Sequence, residues 1–251
     1  MYNEYDENQV KKIMHKRKKK RLKRKVKVFI FAVCMILIAL FVTSDLPKVK
    51  SIQVSGLESL SQDKVLSSLS VNRSSYYLFM SSKSLSKEIE NIPEVKSAKV
   101  NCDMVGNVKI NVQEAQPIAY ATINNQYYEI NELGNVIETN DKERIQVLKA
   151  FPQLHDFQSV DTLKSFAEEF KDVPTLMQNE MSDIILTAKK TDPTLLKCIL
   201  KNKKVIQIRI EDLSYRLSED QFNYEAYKVG FKNVCTFKFE GKYLYLEDCN
   251  K

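Results

Sequence analysis

Apolar positions follow different periods in different parts of this chain, and each period predicts an element. Val28 to Val42 is an unbroken run of fifteen apolar residues. A hydrocarbon core of about 30 Å takes roughly 20 helical residues. Val26 to Leu46 supplies them if Lys27 reaches back to the head groups, and Asp45 and Pro47 stand where the helix should close. Beyond Pro47 no such run recurs, and alternating and helical spacings take over.

Residues 47–116 read as strand, helix, helix, strand, strand. Val49 to Val54 alternates and ends at Ser55-Gly56. Ser61 is a fit N-cap for a helix through Leu69 with Val65, Leu66 and Leu69 on one face. Ser84 or Ser86 is positioned to cap a second helix that turns Leu85 and Ile89 inward and stops near Asn91, since Pro93 follows. Two alternating runs come next: Ala98, Val100 and Cys102 share a face, as do Val108, Ile110 and Val112, with Asp103 to Asn107 as the hairpin loop.

Residues 117–251 are richer in strands. Ile118 to Ile130 carries Tyr and Ile around an Asn124-Asn125 turn, and Asn131 to Asn135 holds a glycine-containing turn. Asp161 to Phe170 has the spacing of an amphipathic helix with Leu163, Phe166, Ala167 and Phe170 inward. Ile184 to Leu186 reads as a strand, Leu195 to Leu200 with Val205 to Ile210 as a hairpin, and Ser218 to Tyr227 as a helix. The last hairpin joins Val234–Phe239 to Lys242–Glu247. A two-residue Glu240-Gly241 loop would pair Phe239 with Lys242, Phe237 with Leu244 and Cys235 with Leu246. Cys235, Phe237, Phe239, Leu244 and Leu246 then share an apolar face, and Thr236, Lys238, Tyr243 and Tyr245 the opposite one. That parity sets Cys235 and Cys249 on opposite faces and argues against a disulfide between them. If the closing strand is the sheet's edge, its unpaired backbone and tyrosine face could accept another chain's strand, with Thr236, Lys238, Tyr243, Leu244, Tyr245 and Leu246 at the contact. An ordinary covered final strand fits the sequence equally well, and both readings stay open.

Charge fixes the expected topology. Twelve basic residues lie between Lys11 and Lys27, directly before the apolar run, and a cationic flank of this kind stays cytoplasmic. The net charge of +7 belongs to that tail: beyond residue 27 the chain carries 27 basic and 29 acidic residues. Such a tail is drawn to anionic lipid by about 1 kcal/mol per basic residue near the surface, which explains it without nucleic acid. The rival for the apolar run is a cleaved signal peptide with Val42-Thr43-Ser44 as its cleavage site, but the cationic leader is long for a signal n-region.

The inventory for chemistry is thin. Outside the tail His155 is the lone histidine, placed in a loop after Phe151-Pro152-Gln153-Leu154. Cys102, Cys198, Cys235 and Cys249 show no Cys-x-x-Cys or zinc spacing, and the five glycines form no phosphate loop. Acidic pairs such as Glu168-Glu169 and Glu211-Asp212 read as solvated charges. No catalytic residue, cofactor or metal is expected, although a glycosidase carboxylate pair depends on distances a sequence does not give.

The order of these elements resembles the bacterial cell-division family FtsQ/DivIB. Val49 to Gly56 looks like the opening strand of its POTRA (polypeptide transport-associated) domain, and Gly106 to Ala119 is similar to the family's segment ending in an acidic residue, two others, proline and a small apolar pair, here Glu114, Pro117 and Ile118-Ala119. Asn131 to Ile137 resembles the family's Asp-x-x-Gly turn, with Asn131 in place of aspartate, and Phe151 to Leu154 resembles a Leu-Pro-x-Leu motif. The chain stops soon after the last hairpin, where many DivIB proteins carry a long tail.

The resemblance implies an α+β chain: a basic cytoplasmic tail (1–25), one transmembrane helix (26–46), a β-α-α-β-β POTRA domain (47–116) and a larger mixed β domain with helices (117–251). It implies a non-enzymatic scaffold at the division septum, in the cell membrane, with its domains extracytoplasmic. The partners implied are small bitopic coiled-coil proteins of the FtsB/DivIC and FtsL type, joined by strand addition around Phe231 to Glu247, and further division proteins including septal cell-wall synthases. Two other classes compete: a membrane-anchored POTRA protein docking polypeptide clients in transport or secretion, and a wall-modifying enzyme. The strand-rich second half and the lack of barrel-like strands argue against the first of these.

Overall fold

The computed structural model describes residues 4–44 and 47–249. Helix α1, Glu4–Thr43, contains a stretch, Lys23–Thr43, long and apolar enough to cross a membrane, none of it buried. Its 21 residues rise about 31 Å, close to the thickness of a hydrocarbon core. The helix extends back through the basic segment rather than starting at the apolar run, because Lys, Arg, Glu and Gln are good helix formers. Asp45, expected to close the span, lies outside the described residues, as do Leu46 and the first three residues of the tail.

By proximity the chain divides into two compact units, one of Met1–Gln53, Val71–Ser81 and Asn101–Val108, the other of Val54–Ser70, Ser82–Val100 and Lys109–Lys251.

The expected order strand, helix, helix, strand, strand is present as β1 (Ser51–Ser55), α2 (Gln62–Ser68), α3 (Ser82–Glu90), β2 (Val95–Cys102) and β3 (Asn107–Glu114). The three strands form one sheet in the order β1-β3-β2. Val108, Ile110 and Val112 of β3 are buried, as are Val65, Leu85 and Ile89 of the helices and Ala98 of β2, whereas Leu66, Leu69, Val100 and Cys102, expected on the same faces, are half-buried. Ser61 caps α2, its side chain accepting from Lys64 N. Helix α3 begins at Ser82, ahead of Ser84 and Ser86, and ends at Glu90 before Pro93. Gly56 sits at φ +82° after β1, where a Cβ would fall 2.1 Å from Val112 O. The turn therefore admits only glycine.

Glu114, at the end of β3, is buried and binds the loop before α2. Its carboxylate accepts from the N–H groups of Glu58 (2.7 Å), Ser59 (3.0 Å) and Leu60 (2.9 Å), and from Ser59 Oγ (2.6 Å). Burial alone would push this carboxyl up, but the hydrogen bonds from Ser59 Oγ and the three amides outweigh it and leave it below its ordinary value.

The remaining strands are β4 (Pro117–Ile123), β5 (Gln126–Asn131), β6 (Val136–Thr139), β7 (Gln153–His155), β8 (Met181–Leu186), β9 (Leu195–Leu200), β10 (Val205–Arg209), β11 (Val234–Glu240) and β12 (Tyr243–Asp248). They form a nine-stranded sheet in the order β12-β11-β10-β9-β8-β7-β4-β5-β6. Pairing is parallel at β10–β11, β8–β7 and β7–β4 and antiparallel elsewhere. Asn124 and Asn125, both at positive φ, turn β4 into β5 as a two-residue hairpin loop requires.

Helices α4 (Lys142–Leu148), α5 (Val160–Phe170), α6 (Thr175–Glu180), α7 (Leu213–Arg216) and α8 (Tyr224–Gly230) connect these strands. Helix α5 buries the expected Leu163, Phe166, Ala167 and Phe170 in a core shared with Ile184, Leu196, Cys198, Ile206 and Ile208. The helix expected over Ser218 to Tyr227 is a correction: two short helices, α7 and α8, flank a turn instead. Ser218 O accepts from both Gln221 N and Phe222 N, folding Phe222 into the core, and Asn223 starts α8 afresh by accepting from Ala226 N. Helices α4 and α6 and strand β7 had no strong period to announce them. His155 is a second correction, since it lies on β7 and not in a loop.

Asn131, where the resembled turn has aspartate, uses both ends of its amide. Its side chain is wholly buried; Oδ1 accepts from Leu133 N and Asn135 N, each at 3.1 Å, and Nδ2 donates to Pro93 O at 2.8 Å. Aspartate would keep the first two bonds but has no donor for Pro93. Asn135 Nδ2 donates to the same carbonyl at 3.0 Å.

Candidate partner-binding edge

Strand β12 lies at one end of the nine-stranded sheet, paired on one side with β11. Among the described residues no strand pairs with its other side. The register differs from the expected one: Glu240 pairs with Tyr243, Phe239 with Leu244, Lys238 with Tyr245 and Phe237 with Leu246. The loop is therefore Gly241-Lys242. Gly241 at φ +54° takes the first central position, which suits the handedness of a two-residue hairpin turn. The shift is two residues, an even number, so the faces survive it. Phe237, Phe239, Leu244 and Leu246 remain on one face, and Thr236, Lys238, Tyr243 and Tyr245 on the other.

The inner face is anchored by aromatic packing. Phe237 is fully buried, and Phe222 meets both Phe237 (5.5 Å between centroids) and Phe239 (5.4 Å). Leu244 packs half-buried against this core, whereas Leu246 near the strand's end is exposed. On the opposite face Tyr243 and Tyr245 are 69% and 49% exposed, their rings 6.3 Å apart. Thr236 and Lys238 are half-buried beside them on β11. Lys238 Nζ meets Glu240 Oε1 at 2.6 Å, and that bond holds the ammonium above its ordinary pKa. Arg216 of α7 donates to Gly241 O and pins the turn.

The other end of β12 is a correction. Cys235 and Cys249 form a disulfide, with Cα atoms 4.8 Å apart. Register changes between Val234 and Thr236: Val234 pairs with Asp248 while Thr236 pairs with Glu247, so Cys235 is an inserted residue. This bulge reverses the parity below Thr236, buries Val234, and brings Cys235 beside Cys249. Alternation counted outward from the turn does not reveal a bulge.

The remaining polar groups are structural in geometry. Cys198 is buried in the core, which pushes its thiol up to about 12 and away from any nucleophilic role. His155 Nε2 lies 2.9 Å from Asp183 Oδ1, and this bond holds Asp183 below its ordinary value. Glu129, buried on β5, takes Arg144 of α4 in a bidentate pair at 2.7 and 2.5 Å. That pairing raises the Arg144 guanidinium still further. Among the described residues no group of three or more His, Cys, Asp or Glu is placed to hold a metal.

Residues 48–115 match the family model described as POTRA domain, FtsQ-type. The chain is 28% identical over 173 residues to the cell division protein DivIB of Pediococcus pentosaceus, over 66% of this chain and 46% of that protein. It is 22% identical over 212 residues to DivIB of Bacillus subtilis, over 84% and 79% of the two chains. The match thus spans less than half the length of the first relative and about four fifths of the second. Among solved structures it is similar to the major extracytoplasmic domain of the trans isomer of DivIB from Geobacillus stearothermophilus, with a TM-score of 0.36 and 17% identity over 49% of this chain and 98% of that one.

Proposed function

We propose that this chain, a membrane-anchored cell-division protein of the DivIB/FtsQ type, is a non-enzymatic scaffold that receives partner strands on β12. The basic tail stays cytoplasmic against anionic lipid, and the two sheets stand outside the membrane, concentrated at the division septum. The partners are small bitopic coiled-coil proteins of the FtsB/DivIC and FtsL type, and through them the scaffold is tied to septal cell-wall synthesis. One observation supports this reading above the others: β12 ends the sheet with no strand among the described residues on its outer side and with two adjacent tyrosines exposed. Main-chain hydrogen bonds along such an edge supply affinity, and alternate side chains supply selectivity.

Within the expected contact, Tyr243 and Tyr245 offer rigid amphipathic surface of the kind that dominates binding hot spots. Leu246 adds an exposed apolar neighbour, and Thr236 and Lys238 flank the tyrosines on β11. Leu244 serves mainly to hold the strand down. The test is capture of the exported segments of the two bitopic partners by the full chain, with wild type and with Tyr243→Glu/Tyr245→Glu. Capture by wild type alone is the expected result; equal capture by both would move the contact off this edge, and no capture by either would reject the scaffold.

A further inference from the structure

Five exposed apolar residues gather in the unit that contains the membrane span. The loop 71–81 carries Tyr76, Leu78 and Phe79, and the β2–β3 hairpin tip carries Met104 and Val105. Phe79 is 87% exposed and Met104 91%, the greatest exposures among the described large apolar residues. Both segments are fastened to the chain where it leaves the helix. Tyr77 N donates to Pro47 O at 3.0 Å, Val49 N to Ser75 O at 3.0 Å and Lys50 N to Gly106 O at 2.8 Å. Pro47 follows the last residue of α1, Thr43, by only four positions, a reach of at most about 14 Å. Tyr76 Oη donates to Val42 O, in the final turn of the span, at 3.3 Å.

The hairpin tip is also built to present its apolar residues outward. Asp103 turns its carboxylate back into the loop, accepting from Val105 N (2.9 Å), Asn107 N (2.8 Å) and Asn107 Nδ2 (2.8 Å). The one acidic side chain of the loop is thereby satisfied internally, and Met104 and Val105 are left outside. Gly106, at φ +96°, lets the tip lie against Lys48 O and the Tyr77 ring, where a Cβ would come within 2.7 and 3.2 Å.

We infer that this patch is a second membrane contact, seated in the head-group boundary of the same bilayer that α1 crosses. Aromatic and long apolar side chains on a short tether from a span are the groups that settle at that boundary. Tyr76 bridges the two contacts by touching the last turn of the span. The inference rests on α1 being inserted and is independent of strand addition at β12.

The chain contains no tryptophan, so single tryptophans report without background. Phe79→Trp, Met104→Trp and, as a control in the other unit, Leu176→Trp (Leu176 is 73% exposed) are placed in the full chain and reconstituted into vesicles of phosphatidylethanolamine and phosphatidylglycerol. The expected result is blue-shifted emission at 79 and 104, quenched by lipid brominated near the head group, with water-like, unquenched emission at 176. Emission at 79 and 104 matching that at 176, in chains that float with the vesicles, overturns the second contact while leaving the anchor. Chains that fail to float overturn both. A blue shift at 79 or 104 that arises only on adding partner segments gives the patch to a protein instead of lipid, and overturns it as well.

Discussion

At one end of the nine-stranded sheet, β6 is four residues long, α5 runs beside it, and half-buried Val136 packs against the core. Its last carbonyl, Thr139 O, accepts from Gln126 Nε2 at 3.2 Å, and α4 folds over to join Arg144 to Glu129 on the neighbouring strand. At the other end β12 is six residues long, and every residue but Leu244 has an exposed side chain. Strand edges invite other strands, and proteins usually shorten or cover them. Here one edge is short, half-buried and flanked by helices, and the other is reinforced from behind while no strand among the described residues pairs with its outer side. The difference separates a half-buried edge from an exposed one, the one to which strand addition is proposed.

That comparison can be broken by substitution. The largest effect on stability is expected in the small sheet, as a reference for core damage. Ile110→Asp puts an unpaired carboxylate where the side chain is fully buried, costing several kcal/mol, and thermal melting of the full chain in detergent should show that transition lost. Native-like melting would mean that β3 does not face the core. Next comes the covered edge: Glu129→Ala leaves Arg144 without its buried partner and should cost about 3–5 kcal/mol. A loss below about 1 kcal/mol would show that α4 does not hold that end.

Cys235→Ser/Cys249→Ser should cost about 3 kcal/mol by the loop it opens, and should raise hydrogen exchange from Leu246 to Asp248 before anywhere else in the sheet. Uniform exchange would mean the bulge alone keeps the strand in place. Glu114 gives a pH-dependent contribution. Its folded pKa is lowered, so its stabilisation is complete above the unfolded value near 4.5 and is lost as pH falls through the lower folded value. Glu114→Gln should flatten the acid limb of stability, and an unchanged limb would assign it to other carboxylates. The smallest effect on stability belongs to Tyr243→Glu/Tyr245→Glu, within about 0.5 kcal/mol for an exposed pair, although partner capture should be lost.

The helical and alternating periods were legible wherever a face is buried: α5, β3 and the β9–β10 hairpin all lie where their apolar residues predict. The family resemblance, read from the order of weak motifs, is borne out by the POTRA match at residues 48–115 and by the DivIB relatives. Helix α4, with one fully buried side chain, Leu148, lacks a face to read, and β7 is too short to show a period. Ser218 to Tyr227 reads as one helix, but Ser218 O closes a turn on Gln221 N and Phe222 N and Asn223 begins a new helix, with Phe222 and Tyr224 both packed beside Phe237. At the candidate edge the two faces were legible and the disulfide was not, since Cys235 is the residue that interrupts the alternation. The apolar loops at 76–79 and 104–105 gave no signal in the sequence, because their meaning comes from proximity to Pro47.

The crosslink between Cys235 and Cys249 has a kinetic consequence. A strand laid along β12 leaves by one of two routes: it breaks its own ladder of hydrogen bonds, or it carries β12 away from β11. With Arg216 holding the turn and the disulfide closing the far end, the second route is shut. Under the proposed strand addition, the lifetime of the complex would be governed by the new ladder, and mechanical load on it would not be relieved by peeling the last strand from the sheet.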